Sequence, residues 1–208
     1  MRTVGSNRND TLQAIRQSAV KLIYEHGYEA MSLRLLAKDV GIQAGSLYNY
    51  IQSKQGFLYQ LLKEITEESL VELKARLDGI DDPAERLRAF IAQHIEFHTR
   101  RPKEVFISNM ELRSLSPKHY KAMVALRDRY QGCLREIIDD GIAKGAFRAD
   151  DPGVATAAII AMLAGPSVWY RAKGRHSLQS LTEIYTDMVF DMLGGTRATS
   201  RRRVLRRA

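Results

Sequence analysis

The stretch that decides the fold runs from Ser32 to Tyr50 and reads SLRLLAKDVGIQAGSLYNY. Its apolar residues recur with the 3.6-residue helical period on both sides of a break at Gly41. Ser32 is a favourable N-cap for the first helix, and glycine tolerates the left-handed backbone of a tight turn. Small Ala37 lets the two helices approach closely. The pattern predicts a helix-turn-helix whose short second helix, beginning at Ala44, fits a DNA major groove about 12 Å wide.

Helical periodicity also dominates the rest of the chain, and almost no segment alternates with the strand period of two. Prolines open the predicted helices at residues 83, 102, 117 and 152, and glycines end others. We therefore expect an all-α, nine-helix, two-domain protein. The eighth helix should run from Asp151 to about Ala172, and Ser177 should cap the ninth. The expected divisions are a helix-turn-helix domain over 1–52, a second helical domain over 53–195, and a basic tail over 196–208.

Composition narrows the class of protein. The 208 residues are 45% hydrophobic and 27% charged, which suits a soluble globular chain with a substantial core. A single cysteine, Cys133, excludes a disulfide framework and a cysteine-based zinc site, and it fits a reducing cytoplasm. Residues 1–11 are polar and carry no secretory signal. The uncharged run from Gly153 to Tyr170 contains a glycine and a proline, so we expect a buried helix and no membrane span.

Charge is unevenly distributed along the chain. The net charge is +8, and residues 197–208 hold six arginines and no acidic residue. A cationic segment attracts polyanions because binding releases condensed counterions. The tail is expected to be solvated, and it leaves a second function open: a nonspecific or architectural DNA-binding protein that uses these arginines.

The motif and its surroundings closely resemble the DNA-binding module of the TetR family of transcriptional regulators. The resemblance covers residues 8–60, and it disfavours the alternative that the motif is an ordinary helical corner. One departure is Ile51, where the family usually has phenylalanine; an apolar plug is kept, so we expect the same fold. The matching residues are Gly27, Tyr28, Ser32, Arg34, Ala37, Val40, Gly41, Ala44, Gly45, Ser46, Leu47, Tyr48, Tyr50 and Lys54.

The resemblance implies a role for each polar residue of the module. Gln43 would pair with adenine, Ala44 would touch a thymine methyl group, and Gly45 would permit close approach to the bases. Arg34 would reach a guanine edge or a phosphate. The residues expected to clamp phosphates, which position the protein without reading sequence, are Ser32, Ser46, Tyr48, Tyr50 and Lys54. Asn49 completes the predicted DNA-binding set.

Four further segments resemble a subset of the family, the regulators of fatty-acid, branched-chain and sterol catabolism that often respond to acyl-CoA thioesters. They are residues 111–117, 127–130, 141–147 and 169–175. The resemblance implies that residues 53–195 form a ligand-binding and dimerisation domain. It also implies a small-molecule effector, with an acyl-CoA as the candidate, and no cofactor. Arginines would hold its phosphates, aided by Lys173, and aromatic and apolar side chains would line its acyl chain. The predicted effector-binding residues are Phe106, Met110, Arg113, Tyr130, Trp169, Arg171 and Arg175.

Trp169 keeps a structural alternative, since it could instead be a packed core residue. Arg127 and Arg129, which belong to the matching segment 127–130, could simply form ion pairs with nearby carboxylates. His94 and His98 lie four residues apart on one helical face, but no third ligand accompanies them, so we expect no metal site. No nucleophile motif or phosphate-binding loop suggests an enzyme.

The resemblance also implies how the protein acts. Its partners would be double-stranded DNA, the effector and a second copy of the chain, joined through the last two helices, with no membrane partner. The expected function is a ligand-responsive regulator, most simply a repressor that binds a palindromic operator as a homodimer and is released by its effector.

Overall fold

The computed structural model describes residues 8–194, so the predicted basic tail lies outside the described residues. Those residues are helical and contain no strand. The helices are α1 (Arg8–His26), α2 (Leu33–Val40), α3 (Ala44–Leu47), α4 (Lys54–Leu77), α5 (Pro83–Arg100), α6 (Pro102–Met110), α7 (Pro117–Ala143), α8 (Pro152–Ala164), α9 (Pro166–Trp169) and α10 (Leu178–Met192). A 3₁₀ turn, Glu111–Ser114, connects α6 to α7.

The all-α, nine-helix prediction is confirmed for this part of the chain if α8 and the single turn α9 are counted as one interrupted helix. The predicted continuation to Ala172 is wrong. Gly165 keeps a helical backbone, but Pro166 has no N–H to donate to the preceding turn. The helix resumes for four residues and ends at Tyr170, whose backbone is extended. The third helix is also shorter than expected, because α-helical geometry ends at Leu47 and a turn continues to Tyr50.

Side chains cap several helices where the sequence predicts them. The Ser32 hydroxyl accepts the Leu35 N–H at 3.1 Å, and the Ser177 hydroxyl accepts the Ser180 N–H at 3.1 Å. At the start of α8 the Asp151 carboxylate accepts the backbone N–H groups of residues 153 and 154, at 2.7 and 3.1 Å. These two bonds hold the pKa of Asp151 below its usual value.

The chain forms two compact units. Unit 1 contains the described residues up to Val71 together with 98–129, and unit 2 contains 72–97 and 130 onward. Helix α6 belongs to unit 1 because it packs on α1 of the helix-turn-helix module. The division at residue 52 therefore stays a prediction about domains, distinct from these packing units.

Each unit has an apolar core of fully buried side chains. In unit 2, Phe147 meets Phe190 edge-on at 5.8 Å between ring centroids. The core of unit 1 includes Ile15, Ala19, Met31, Leu36, Leu47, Leu58, Leu62 and Met123. The core of unit 2 includes Leu87, Phe90, Ile91, Leu134, Ile137, Ile159, Leu163, Val189 and Phe190.

The apolar segment Pro152–Trp169 is not a buried helix within this chain. Only 22% of it is buried. Its mean hydropathy is 1.4, and by length and composition alone it is the one segment of the described residues that could cross a membrane. The expectation of burial fails because Val154, Ala157, Ala158 and Ala161 point outward.

The apolar stripe of α10 divides between two environments. Leu181, Val189 and Leu193 are buried in unit 2, whereas Met188 and Met192 are about half exposed. Both α8 and α10 thus leave an apolar face uncovered.

Candidate nucleic-acid interface and effector residues

The turn between α2 and α3 is built on Gly41. This residue has φ 78° and ψ 27°, the left-handed conformation that favours glycine. The reversal lets the Ile42 N–H donate to the Ala37 carbonyl at 2.9 Å, which closes the end of α2. Leu36, Ala37 and Leu47 are buried beneath the turn as expected, and Val40 and Ile42 are half-buried.

Helix α3 presents its first residues to solvent. Gln43 precedes the helix in an extended conformation, and its side chain makes no capping hydrogen bond. Ala44, Gly45 and Ser46 are exposed, and open space surrounds the position of a Cβ at Gly45. Leu47 faces inward. Gln43, Ala44 and Gly45, the residues predicted to face bases, are therefore all exposed to solvent at the start of α3.

The predicted phosphate clamps lie around this turn. Ser32, Arg34, Ser46, Tyr48 and Asn49 are exposed, and Tyr48 is 59% accessible. The Tyr50 ring is half-buried, with the Arg8 guanidinium 5.9 Å from its centroid. Ile51 is 2% exposed, as an apolar plug should be.

Lys54 is held against the turn that follows α1. Its ammonium group lies 4.2 Å from the centroid of the Tyr28 ring and donates to the Glu29 carbonyl at 3.1 Å. Tyr28 is 3% exposed, and burial raises the pKa of its hydroxyl, with Glu29 and Glu111 adding to the shift. The lysine charge is therefore fixed in place, while two of its three donors remain for another partner.

A second tie joins α1 to the end of α2. The Asp39 carboxylate accepts the Ser18 hydroxyl at 2.6 Å and the Lys21 ammonium at 3.1 Å. These hydrogen bonds, the one from Ser18 first, lower the pKa of Asp39. The sequence gives no signal for this pair, because its members lie about twenty residues apart.

Four charged side chains join α1, α4 and the start of α6. Glu68 binds both Arg16, at 2.9 Å, and Arg101, and Glu104 binds the same two arginines. Burial alone would raise the pKa of Glu68, but the bonds from Arg16 and Arg101 bring it below its usual value. The network fixes the orientation of α6 against the first helix of the module.

Three predicted effector residues belong to unit 1. Phe106 packs edge-on against Tyr24 of α1 at 5.2 Å, and it is 41% exposed. Met110 and Arg113 are exposed. Two cavities within unit 1, of about 580 and about 170 Å³, are lined by other residues.

The other four predicted effector residues belong to unit 2. Trp169 is 51% exposed, so the alternative of a packed core tryptophan does not hold. Arg171 is exposed and donates to the carbonyls of residues 168 and 170, and Arg175 is exposed. Because the set is divided between two units, its role as one site stays a prediction.

Tyr130, the fourth of these, lies in a buried polar network with Gln93 and His94. Its hydroxyl donates to Gln93 Oε1 at 3.1 Å and lies 3.0 Å from His94 Nδ1. Since the hydroxyl has one proton, this arrangement assigns the imidazole proton to Nδ1, which then donates to Tyr130. Sequence reasoning missed Gln93, because nothing in its spacing distinguishes it from a surface residue of α5.

Arg127 is half-buried near His98, and the acceptors of its guanidinium are uncharged oxygens. It donates to the Ser108 carbonyl at 2.7 Å and to Asn109 Oδ1 at 2.9 Å, so it caps the last turn of α6. Burial lowers the pKa of Arg127. Burial, together with the Arg127 charge, lowers the pKa of His98 to about 4, so this imidazole is neutral near pH 7.

No three His, Cys, Asp or Glu side chains of residues 8–194 meet as a metal site.

Two family models match the chain. The model described as bacterial regulatory proteins, tetR family, matches residues 15–61, and the tetracyclin repressor-like C-terminal domain matches residues 80–193. The second match alone spans more than half of the chain.

Individual proteins are similar over most of their length. The HTH-type transcriptional repressor KstR2 of Mycolicibacterium smegmatis is 27% identical over 91% of this chain and 90% of its own. The HTH-type transcriptional repressor NicS of Pseudomonas putida is 29% identical over 84% of this chain and 81% of its own. The crystal structure of AibR in complex with isovaleryl coenzyme A and operator DNA has a TM-score of 0.78 and 26% identity, covering 89% of this chain and all of that chain.

Proposed function

Since the chain belongs to the TetR family of bacterial regulatory proteins, we propose that it is a cytoplasmic repressor that binds a palindromic operator as a homodimer and leaves it when a small effector binds. Its role is regulatory and not catalytic. The observation that carries this proposal is the exposed start of α3, where Gln43, Ala44 and Gly45 are solvent-exposed and Leu47 is buried. Such a turn presents side chains to base edges in a major groove.

Selection of binding sites from a random duplex library at physiological salt tests the DNA-binding proposal. We expect a palindrome with half-sites about 34–36 Å apart, or a multiple of that spacing. Tyr48→Phe and Lys54→Ala should each weaken binding to the selected site. Their matched controls are Tyr120→Phe and Lys118→Ala, exposed residues of α7 outside the module. Unchanged affinity in both test variants would contradict the phosphate-clamp assignment.

The alternative of a nonspecific, tail-driven DNA-binding protein predicts another result. It gives a steep salt dependence with little sequence preference, whereas a regulator binds its site about 10³- to 10⁷-fold more tightly than random DNA. If the selection enriches no sequence, the nonspecific, tail-driven alternative is favoured. Deleting residues 197–208 would then abolish most binding, while a regulator would keep its preference.

The uncovered faces of α8 and α10 support a homodimer through the last two long helices. Exposed Ala157, Ala158 and Ala161 permit close helix approach, and Met188 adds apolar area on α10. Ala161→Glu and Met188→Glu place charges in these faces, so they should give monomers by light scattering coupled to gel filtration. Val71→Glu, which charges an exposed apolar residue of α4, is the control. A dimer that survives both test substitutions would refute this interface.

An acyl-CoA thioester is the effector we propose. Three features support it: the resemblance of residues 111–117 and 169–175 to regulators of acyl-CoA-linked catabolism, the similarity to AibR, and a short segment rich in cations. Arg171, Lys173 and Arg175 are exposed within five residues and suit the phosphates of coenzyme A. Tyr130, with Gln93 and His94 behind it, is the polar group suited to orient the acyl end.

Titration of the operator complex with acyl-CoAs of increasing chain length tests the effector. Free coenzyme A and the free acids serve as ligand controls. One thioester should release the DNA, and Arg171→Ala combined with Arg175→Ala should weaken that response while leaving operator affinity intact. Arg135→Ala, which removes a partly exposed arginine paired with Asp139 on α7, is the control variant. Operator binding that no thioester changes would remove this ligand class and keep the DNA-binding function.

A further inference from the structure

Residues 111–117, the ELRSLSP segment, are joined to the DNA-binding module, residues 8–60, by three hydrogen bonds that the proposed function does not use. The segment follows α6 and comprises the 3₁₀ turn Glu111–Ser114 and the start of α7. Its Arg113 is exposed. Its other polar residues face two separate edges of the module.

The first edge is the turn after α1. Gly27 takes a left-handed φ of 81°, and its N–H closes α1 on the Ile23 carbonyl at 2.8 Å. The next N–H, that of Tyr28, donates to Glu111 Oε1 at 3.1 Å. The left-handed backbone favours glycine at 27, whereas a Cβ there would lie at an ordinary contact distance of 4.0 Å from Glu111 Oε1.

The second edge is the first turn of α4. The Gln55 amide nitrogen donates to the Ser114 carbonyl at 2.5 Å, and the Ser116 N–H donates to the Gln55 amide oxygen at 3.2 Å. One glutamine side chain therefore uses both ends of its amide on the same segment. Ser114 connects the two edges, since its hydroxyl donates to Glu111 Oε2 at 2.7 Å.

Between these edges lies Lys54. It precedes Gln55 in the chain, and its ammonium rests on the Tyr28 ring and the Glu29 carbonyl. Glu111 fixes the backbone of Tyr28, and Gln55 fixes the start of α4. The position of the lysine charge relative to α3 thus depends on both contacts.

We propose that Glu111 and Gln55 are positioning residues for DNA binding. Their hydrogen bonds link the turn after α1 and the start of α4 to the ELRSLSP segment, and this holds the Lys54 ammonium where it can contact a DNA phosphate. Neither residue needs to touch DNA. The inference rests on the DNA-binding function and is independent of the effector's identity.

The test measures operator affinity as a function of salt for the full-length protein. Each phosphate contact contributes about 0.9 to the slope of log K against log salt concentration. Lys54→Ala should lower the slope by about 0.9 per protomer. Glu111→Ala should lower it by the same amount and weaken binding several-fold, and the Glu111→Ala, Lys54→Ala double variant should lose no more than either single variant.

Three further variants separate positioning from general destabilisation. Glu111→Gln keeps an acceptor for the Tyr28 N–H, so it should restore most of the affinity and the slope. Gln55→Ala removes the hydrogen bonds at the start of α4 and should change the salt slope in the same way. It therefore tests the inference even if Glu111→Ala does not fold. Asp151→Ala is the matched control, because it also removes a carboxylate that accepts two hydrogen bonds, here at the start of α8 in unit 2. It should leave the slope unchanged.

Additive losses in the double variant, or a wild-type slope in both Glu111→Ala and Gln55→Ala, would overturn the inference. A wild-type protein that selects no operator would instead refute the proposed function, so the two failures are distinguishable.

Discussion

Two glycines of the recognition motif, four residues apart, should respond to the same substitution in opposite ways. At Gly41 the backbone has φ 78°, and nothing lies within 4 Å of an added Cβ. The cost of Gly41→Ala is therefore conformational, about 1–2 kcal/mol for a left-handed alanine. The lower entropy of the unfolded variant offsets about 0.4–1 kcal/mol of this cost. The net loss should be about 1 kcal/mol, a fall in melting temperature of about 2–4 °C.

At Gly45 the backbone is helical, and an added methyl group would lie in open space. Alanine is favoured over glycine in a helix by up to about 1 kcal/mol, so Gly45→Ala should raise the melting temperature. It should nonetheless weaken operator binding, because the new methyl group stands where close approach to base edges is expected. The two effects, higher stability with lower affinity, separate the fold from the interface at a single residue.

Thermal unfolding at one fixed protein concentration measures both variants, with Gly41→Asn as a third, since asparagine tolerates the left-handed region better than alanine. We expect the order of melting temperatures to be Gly45→Ala, wild type, Gly41→Asn, Gly41→Ala. A Gly41→Ala protein that melts at or above the wild type would refute the role assigned to this turn. Operator affinity unchanged in Gly45→Ala would refute the assignment of its surface to base contact.

Further predictions concern packing and pH. Gly141→Ala should destabilise unit 2 by about 1–3 kcal/mol, because its Cβ would lie 2.0 Å from the Phe147 ring, whereas Gly132→Ala on the same helix meets no atom within 4 Å and should not lower the unfolding temperature. The folded-state pKa of Glu68 is depressed, so its contribution to stability is present above the unfolded value near 4.5 and is lost as pH falls through the folded value. The stability difference between the wild type and Glu68→Gln, measured by urea unfolding, should therefore shrink on acidification below pH 4.5; a difference independent of pH would contradict the ion-pair assignment. His98 has a folded pKa of about 4 against 6.5 when unfolded, so the wild type should lose up to about 3 kcal/mol between pH 6.5 and 4. His98→Asn should lose less over that range, and an NMR titration of His98 that gives a pKa near 6.5 would exclude the burial on which this rests.

The helix-turn-helix was predictable because its determinants lie close together in the sequence. A cap at Ser32, a glycine at 41 and a buried Leu47 fix the motif within some twenty residues, and the structure places each of them as expected. The prolines that begin α5, α6, α7 and α8 act through their own backbone geometry, so those helix starts were also predictable.

The surroundings of the predicted effector residues were harder to predict, since they depend on helices distant in the sequence. Trp169 fits a core residue or a ligand contact equally well by pattern, and only the break at Pro166 shows that it is exposed. Arg127 was expected in an ion pair or free for a ligand, yet it caps α6 from a helix that begins seven residues later. The stripe on α10 looked continuous, and its division into a buried and an exposed half follows from what packs against it.

The sequence by itself determined where most helices begin, several of their caps and the recognition motif, because these depend on backbone preferences and on neighbours within one or two turns. The tertiary structure decided which polar side chains meet across the fold. It alone shows that Glu111 accepts a hydrogen bond from Tyr28, 83 residues away, and that Gln55 forms hydrogen bonds with Ser114 and Ser116. Such contacts carry no periodic signal, since one hydrogen bond between distant segments requires only two side chains and the packing that brings them together.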